Sequence, residues 1–156
     1  MKYIADWISS GFGSGYARIA PGTFGSAAAL IFWWLLHRIG LPTSTAAQLL
    51  LVAVTVLIGT ASVAYSIQGQ DSAVDPQWIV IDEWAGLFLV LVGLLPSEWS
   101  WVVIGFILFR IFDAIKWGPV GALEKLPGAF GIMGDDLMAG ALAAACIWLV
   151  RGVWGI

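Results

Sequence analysis

Charge is scarce in this sequence. Of 156 residues only 7 are Lys or Arg and 10 are Asp or Glu, 11% in all, against roughly 25% in an ordinary soluble domain. A soluble chain of this size could bury a core, but it would still need a polar coat. With 60% hydrophobic residues and a mean hydropathy of +0.92, lipid is the expected solvent. The net charge of -3 excludes the basic balance expected of a nucleic-acid binder. Cysteine is almost absent: Cys146 stands alone, so an intrachain disulfide and a thiolate metal cluster are both excluded, and a small buried hydrophobe is its expected role. A secretory leader is not read, because Lys2 is followed by Asp6 with no apolar stretch of roughly 7–15 residues and no cleavage site. The N-terminus is therefore expected in the cytoplasm. Internal repeats and low-complexity tracts are lacking, and the length fits one domain, residues 1–156.

What is present is a series of apolar runs: Gly25–Ile39, Ala46–Ile67, Ile79–Leu95, Trp99–Ile115 and Asp136–Trp154. A helix rises about 1.5 Å per residue and the hydrocarbon core is about 30 Å thick. The second and fifth runs are long enough to span it. The third and fourth are marginal, and the first is expected to be tilted, shallow or re-entrant. Pro-bearing Leu41–Thr45 and Pro96–Glu98 read as tight turns, while Gln68–Trp78 and Lys116–Gly134 read as longer loops. The expected fold class is all-α, an integral membrane helical bundle of about four or five apolar segments.

Threading these runs back and forth sorts the charges. Lys2, Asp6, Arg18, Asp71, Asp75, Asp82, Glu83, Arg110, Asp113, Lys116, Glu124, Lys125, Asp135 and Asp136 fall on one side, and only Arg38, Glu98 and Arg151 on the other. Five of the basic residues are on the first side and two on the second, so the positive-inside rule makes the acidic side cytoplasmic. Trp7, Trp78 and Trp117 fall near the first interface. Trp33, Trp34, Trp99, Trp101, Trp148 and Trp154 fall near the second, as an aromatic belt requires, and Trp84 lies deeper.

A charge at mid-membrane costs roughly 2.5–3.5 kcal/mol, so ionisable groups inside apolar runs need partners. Asp82 and Glu83 open the third run and Asp135 and Asp136 the fifth, while Arg110, Asp113 and Lys116 form an i, i+3, i+6 stripe on the fourth. Five acids against two bases leave negative charge uncompensated. A hard divalent cation resolves that excess, and Mg²⁺ suits carboxylate, water and phosphate ligands. Structural ion pairing and a proton or ion path are the alternatives. The Gly11–Gly15 and Pro21–Ser26 stretches make a glycine-rich loop running into a helix. Its N–H groups, with Thr23 and Ser26, could hold phosphate, or its glycines could serve close packing. A P-loop ending is absent. Known phosphatase nucleophiles are absent too: His37, the only histidine, is on the far side, Cys146 and Arg151 are separated by four residues rather than five, and no Asp-x-Asp motif occurs. Metal-assisted attack by water remains.

Gly13-Ser-Gly15 with Pro21-Gly-Thr-Phe-Gly-Ser26, Ile79-Val-Ile-Asp-Glu83, Arg110-Ile-Phe-Asp113 with Lys116, and Gly131-Ile-Met-Gly-Asp-Asp136 with Ala139-Gly140 resemble the phosphatidylglycerophosphatase A family across nearly the whole chain. The resemblance implies a Mg²⁺-dependent enzyme of the bacterial inner membrane that converts phosphatidylglycerophosphate to phosphatidylglycerol. Val74 stands where family members often carry a histidine, and Lys116-Trp-Gly-Pro119 replaces a Lys-Pro-x-Pro pattern. Asp82, Glu83, Asp135 and Asp136 are the expected metal ligands, with Asp82, Glu83, Asp113 and Asp136 catalytic, Asp113 as a further ligand or a base. Arg110, Lys116, Thr23 and Ser26 are the expected phosphate contacts. The lipid bilayer is the expected surroundings, no nucleic acid is expected, and protein partners are not specified. Competing expectations are an ion-coupled transporter and a non-catalytic scaffold.

Overall fold

The computed structural model describes residues 1–42, 44–69 and 76–155. Asp71, Val74 and Asp75 lie outside the described residues. Within them the chain is helical throughout: α1 (Lys2–Ser9), a 3-10 turn (Ser14–Tyr16), α2 (Pro21–Arg38), α3 (Thr45–Ser66), α4 (Ile81–Val90), α5 (Trp99–Ile115), α6 (Pro119–Leu123) and α7 (Ala129–Trp154). The all-α expectation holds.

Two of these helices, α3 with 22 residues and α7 with 26, are long and apolar enough to cross a membrane. Only 28% and 22% of their most apolar windows are buried, whereas the core helix of a soluble protein would be mostly enclosed. Leu50, Leu57, Leu149 and Val153 stand exposed on them, an apolar surface that lipid satisfies and water does not. The chain is membrane-associated.

Element boundaries depart from the sequence expectation at three places. Helix α2 starts at Pro21, not Gly25, because proline suits the first helical turn, where its missing N–H costs nothing. The third apolar run forms a helix of only 10 residues, α4, followed by turns. At about 1.5 Å per residue it falls far short of a span, and nearly all of it is buried. The long loop expected over 116–134 contains α6 and the first turns of α7.

Helix α4 is the hub, packing most extensively on α7 and also against α2 and α3. Small residues permit this. A Cβ on Gly140 would run into the backbone oxygen of Gly86, and one on Gly86 would meet the Asp136 carbonyl. Ala139, Gly140 and Ala143 are buried in the same seam, as small residues at helical spacing predict for close contact in lipid. Around it Trp33, Leu87, Leu91, Leu94, Val102, Phe109 and Ile147 make a core with almost no exposure. Trp33 is therefore a core residue and not part of the belt, its ring 4.4 Å from that of His37. Cys146 is half-buried rather than enclosed.

Contacts tie the helices together at each of two ends. At one end the Gln48 side-chain amide donates to Leu94 O (3.0 Å) and accepts from the Gly93 N–H, and Arg151 pairs with Glu98 at 2.7 Å. These contacts join the starts of α3 and α5 to the ends of α4 and α7. The opposite end collects the starts of α2 and α4, the end of α5 and the second turn of α7.

Candidate active site

At that opposite end lies a cavity of about 500 Å³. Asp82, Glu83, Asp113, Asp135, Asp136, Arg110, Lys116 and Thr23 all line it, so eight of the nine residues expected from the sequence meet there. Ser26 does not. It is fully buried one turn further along α2, donates to Gly22 O at 2.8 Å and accepts from Arg110 at 3.3 Å. It braces the arginine instead of facing the cavity.

Each acid is held by a different device. Asp82 lies in the first turn of α4, where the helix dipole favours negative charge, and accepts the Glu83 N–H at 3.0 Å. Asp135 accepts the Asp136 N–H at 2.9 Å. Because α7 begins at Ala129, Asp135 and Asp136 are not at its N-terminus as expected but in its second turn. Their site owes nothing to free N–H groups of α7. Asp113 is gripped by Arg110 at 2.9 Å, and Arg110 reaches Glu83 at 4.0 Å. The other Glu83 oxygen, Oε2, is buried and has no hydrogen-bond partner among the described residues. Gly22 makes room for this carboxylate, since a Cβ there would collide with Glu83 Oε1.

Lys116 departs from the expected stripe. Its backbone is left-handed, φ 48°, and ends α5, which turns the ammonium away to Asp135 and Glu124, each at 2.8 Å. Burial disfavours the charge, but the hydrogen bonds and charges of Asp135 and Glu124 outweigh it and hold the lysine above its ordinary pKa. It is a fixed cation tying α5 to α6 and α7.

Arg18 and Gln77 also line the cavity and were not among the residues expected there. Arg18 has no side-chain motif to betray it. It arrives because Ala20, with φ 48°, folds the loop back just before α2. Two glycines of that stretch, Gly15 and Gly25, serve packing. Cβ atoms on Gly15 and Gly25 would collide with Trp78 and Val80. Arg18, Ala20 and the first turn of α2, Pro21–Thr23, are the parts of this stretch that open on the cavity.

The donor set suits a hard divalent cation. Carboxylate oxygens of Asp82, Glu83 and Asp136 lie within 4.8 Å of one another, and so do those of Asp113, Asp135 and Asp136. Asp136 belongs to both groups. The unpartnered Glu83 oxygen is the kind of buried atom that a cation would satisfy.

Fold and site define a class: an apolar, membrane-associated helical enzyme with a carboxylate-lined cavity at one end. The family model for phosphatidylglycerophosphatase A matches residues 7–151. Over 151 residues the chain is 35% identical to phosphatidylglycerophosphatase A of Escherichia coli, covering 94% of this chain and 83% of that protein. It is 34% identical to phosphatidylglycerophosphatase A of Haemophilus influenzae, covering 92% and 86%. It is 36% identical to a Bacteroides thetaiotaomicron protein named "Putative phosphatidylinositol-3-phosphatase", covering 95% and 94%. No solved structure matches. The chain belongs to the phosphatidylglycerophosphatase A family, as its motifs had indicated.

Proposed function

We propose that this phosphatase hydrolyses the phosphate monoester of phosphatidylglycerophosphate, releasing phosphatidylglycerol and phosphate at the cytoplasmic face of a bacterial inner membrane that its helices cross several times. The observation that carries it is the pair of carboxylate triads sharing Asp136, inside a cavity at one end of the helices. Two relatives carry the name of that activity. An ion path would need acids staggered through the bilayer, whereas the core beyond this cavity is apolar.

Asp82, Glu83, Asp135 and Asp136 would hold one or two Mg²⁺, with Asp113 beside them as the base. Such ions make water more acidic and neutralise phosphate charge. The remaining work falls to the chain. Arg18, the Thr23 hydroxyl and the N–H groups at the start of α2 hold the phosphate oxygens. Arg110 fixes one oxygen of Asp113, leaving the other to take the proton of the attacking water. As the new P–O bond forms, the bond to the glycerol oxygen breaks, and that oxygen takes a proton from solvent. Lys116 keeps Asp135 oriented throughout.

The test is phosphate release by detergent-purified protein after EDTA, with and without added Mg²⁺, beside Asp136→Asn. Release should require the metal and fall by about two orders of magnitude or more in the variant, whose melting midpoint is recorded alongside. Phosphatidylinositol 3-phosphate is run in parallel because one relative bears that name. A well-folded sample releasing nothing with any divalent metal would overturn the proposal.

A further inference from the structure

A second cavity, about 550 Å³, opens on the apolar flank of the protein between α1 and α2. Phe12, Ala28, Ile31, Phe32, Leu35 and Trp84 line it. Two elements, α2 and α4, contribute to both this groove and the active-site cavity. Glu83 faces the acidic cavity while the next residue, Trp84, walls this groove. Along α2, the first turn lies on the acidic cavity and Ala28 to Leu35 lie on the groove, progressively deeper by about 1.5 Å per residue.

The indole N–H of Trp84 is buried, the residue being 4% exposed, and has no hydrogen-bond partner among the described residues. It points at Gly11, where a Cβ would lie 2.6 Å from Nε1 and 2.8 Å from the Ser14 hydroxyl oxygen. Gly11 closes this N–H off, so the groove offers a ligand the ring of Trp84 and not its N–H. The rest of the groove is aromatic and aliphatic. Phe12 sits 5.3 Å from Trp84 and 6.4 Å from Phe32, ring to ring. It is held there by a positive φ of 58°, a conformation uncommon for a bulky side chain.

We infer that this groove binds one acyl chain of the phospholipid substrate, its methylenes lying along α2. The order along α2 is that of a lipid: the acidic cavity for the phosphate at its first turn, then an apolar channel from Ala28 to Leu35. The inference rests on the phosphatase function proposed above.

Dioleoyl and dihexanoyl phosphatidylglycerophosphate, compared in the same mixed micelles with Mg²⁺, test it. Filling the groove by Ala28→Phe should lower the ratio of kcat/KM for the long over the short substrate about tenfold, the loss of roughly two buried methylenes of contact. Leu57→Phe, on the exposed face of α3, should leave that ratio alone. Should Ala28→Phe fail to fold, the wild-type protein is cross-linked with phosphatidylglycerophosphate carrying a diazirine at mid-chain. Labelling should concentrate on Phe12, Ile31 and Leu35 and be competed by unlabelled substrate but not by phosphatidylcholine. An unchanged ratio, or uniform uncompeted labelling of all apolar faces, would mean that the groove holds bulk lipid only, and would overturn the inference. Absence of hydrolysis of both substrates would instead remove the phosphatase function, and the cross-linking pattern would still decide the groove.

Discussion

Arg110 and Lys116 bring positive charge to the cavity, yet both are engaged with carboxylates, Arg110 with Asp113 and Glu83 and Lys116 with Asp135 and Glu124. Arg18 lines the same cavity, exposed, with no carboxylate partner among the described residues. It is the cation best placed to receive a phosphate dianion. Arg18→Ala should raise KM about tenfold or more, the worth of a charge-assisted hydrogen bond, with little change in melting midpoint, and Arg18→Lys should recover part of the loss. Steady-state kinetics with a thermal melt beside them check this. The carboxylates were legible in the sequence because acids are conspicuous in apolar runs. Arg18 was not, because it precedes the helix in an ordinary polar loop, and its position depends on the left-handed turn at Ala20. Ser26 misled for the converse reason: a hydroxyl in a glycine-rich stretch suggests a ligand contact, but one helical turn places it behind Arg110.

Among the helices, the seam between α4 and α7 carries Asp82, Glu83, Asp135 and Asp136, so the precision of the site depends on how closely those helices approach. Gly140→Ala would place a Cβ against the Gly86 backbone, which cannot swing aside as a side chain can. Overpacking of this kind costs about 1–3 kcal/mol. The variant should melt lower in detergent and lose activity with its acids displaced. Gly152→Ala, on the same helix but facing open space, should be neutral or slightly stabilising. The small-residue spacing of α7 was readable in the sequence, but its partner was not. Nor were the boundaries. Hydropathy alone cannot tell the buried 10-residue α4 from a marginal span, and the glycines near 131–134 resemble a loop until α7 is seen to run through them.

For the whole molecule, charge order along the chain was enough to foresee that one end would be acidic and the other nearly bare, and the contacts at each end agree. The proposed orientation in the membrane rests on the basic residues near the acidic end. In a Cys146→Ala background, a membrane-impermeant maleimide applied to intact cells should label Ser97→Cys, and should label Lys125→Cys only after permeabilisation. Both positions are exposed, so burial does not confound the comparison, and the reverse pattern would invert the topology.

The end remote from the site is shut. Gln48 clasps the turn after α4, Arg151 is sandwiched by the rings of Trp101 and Trp148 while it holds Glu98, and Leu87, Leu91, Leu94, Val102 and Ile147 fill the interior behind them. In a bilayer that plug is a dielectric barrier. With the topology proposed above, the acid cluster would open to one aqueous compartment only, and a protein that gathers five carboxylates in its cavity would add no leak to the electrochemical gradient across the membrane that holds it.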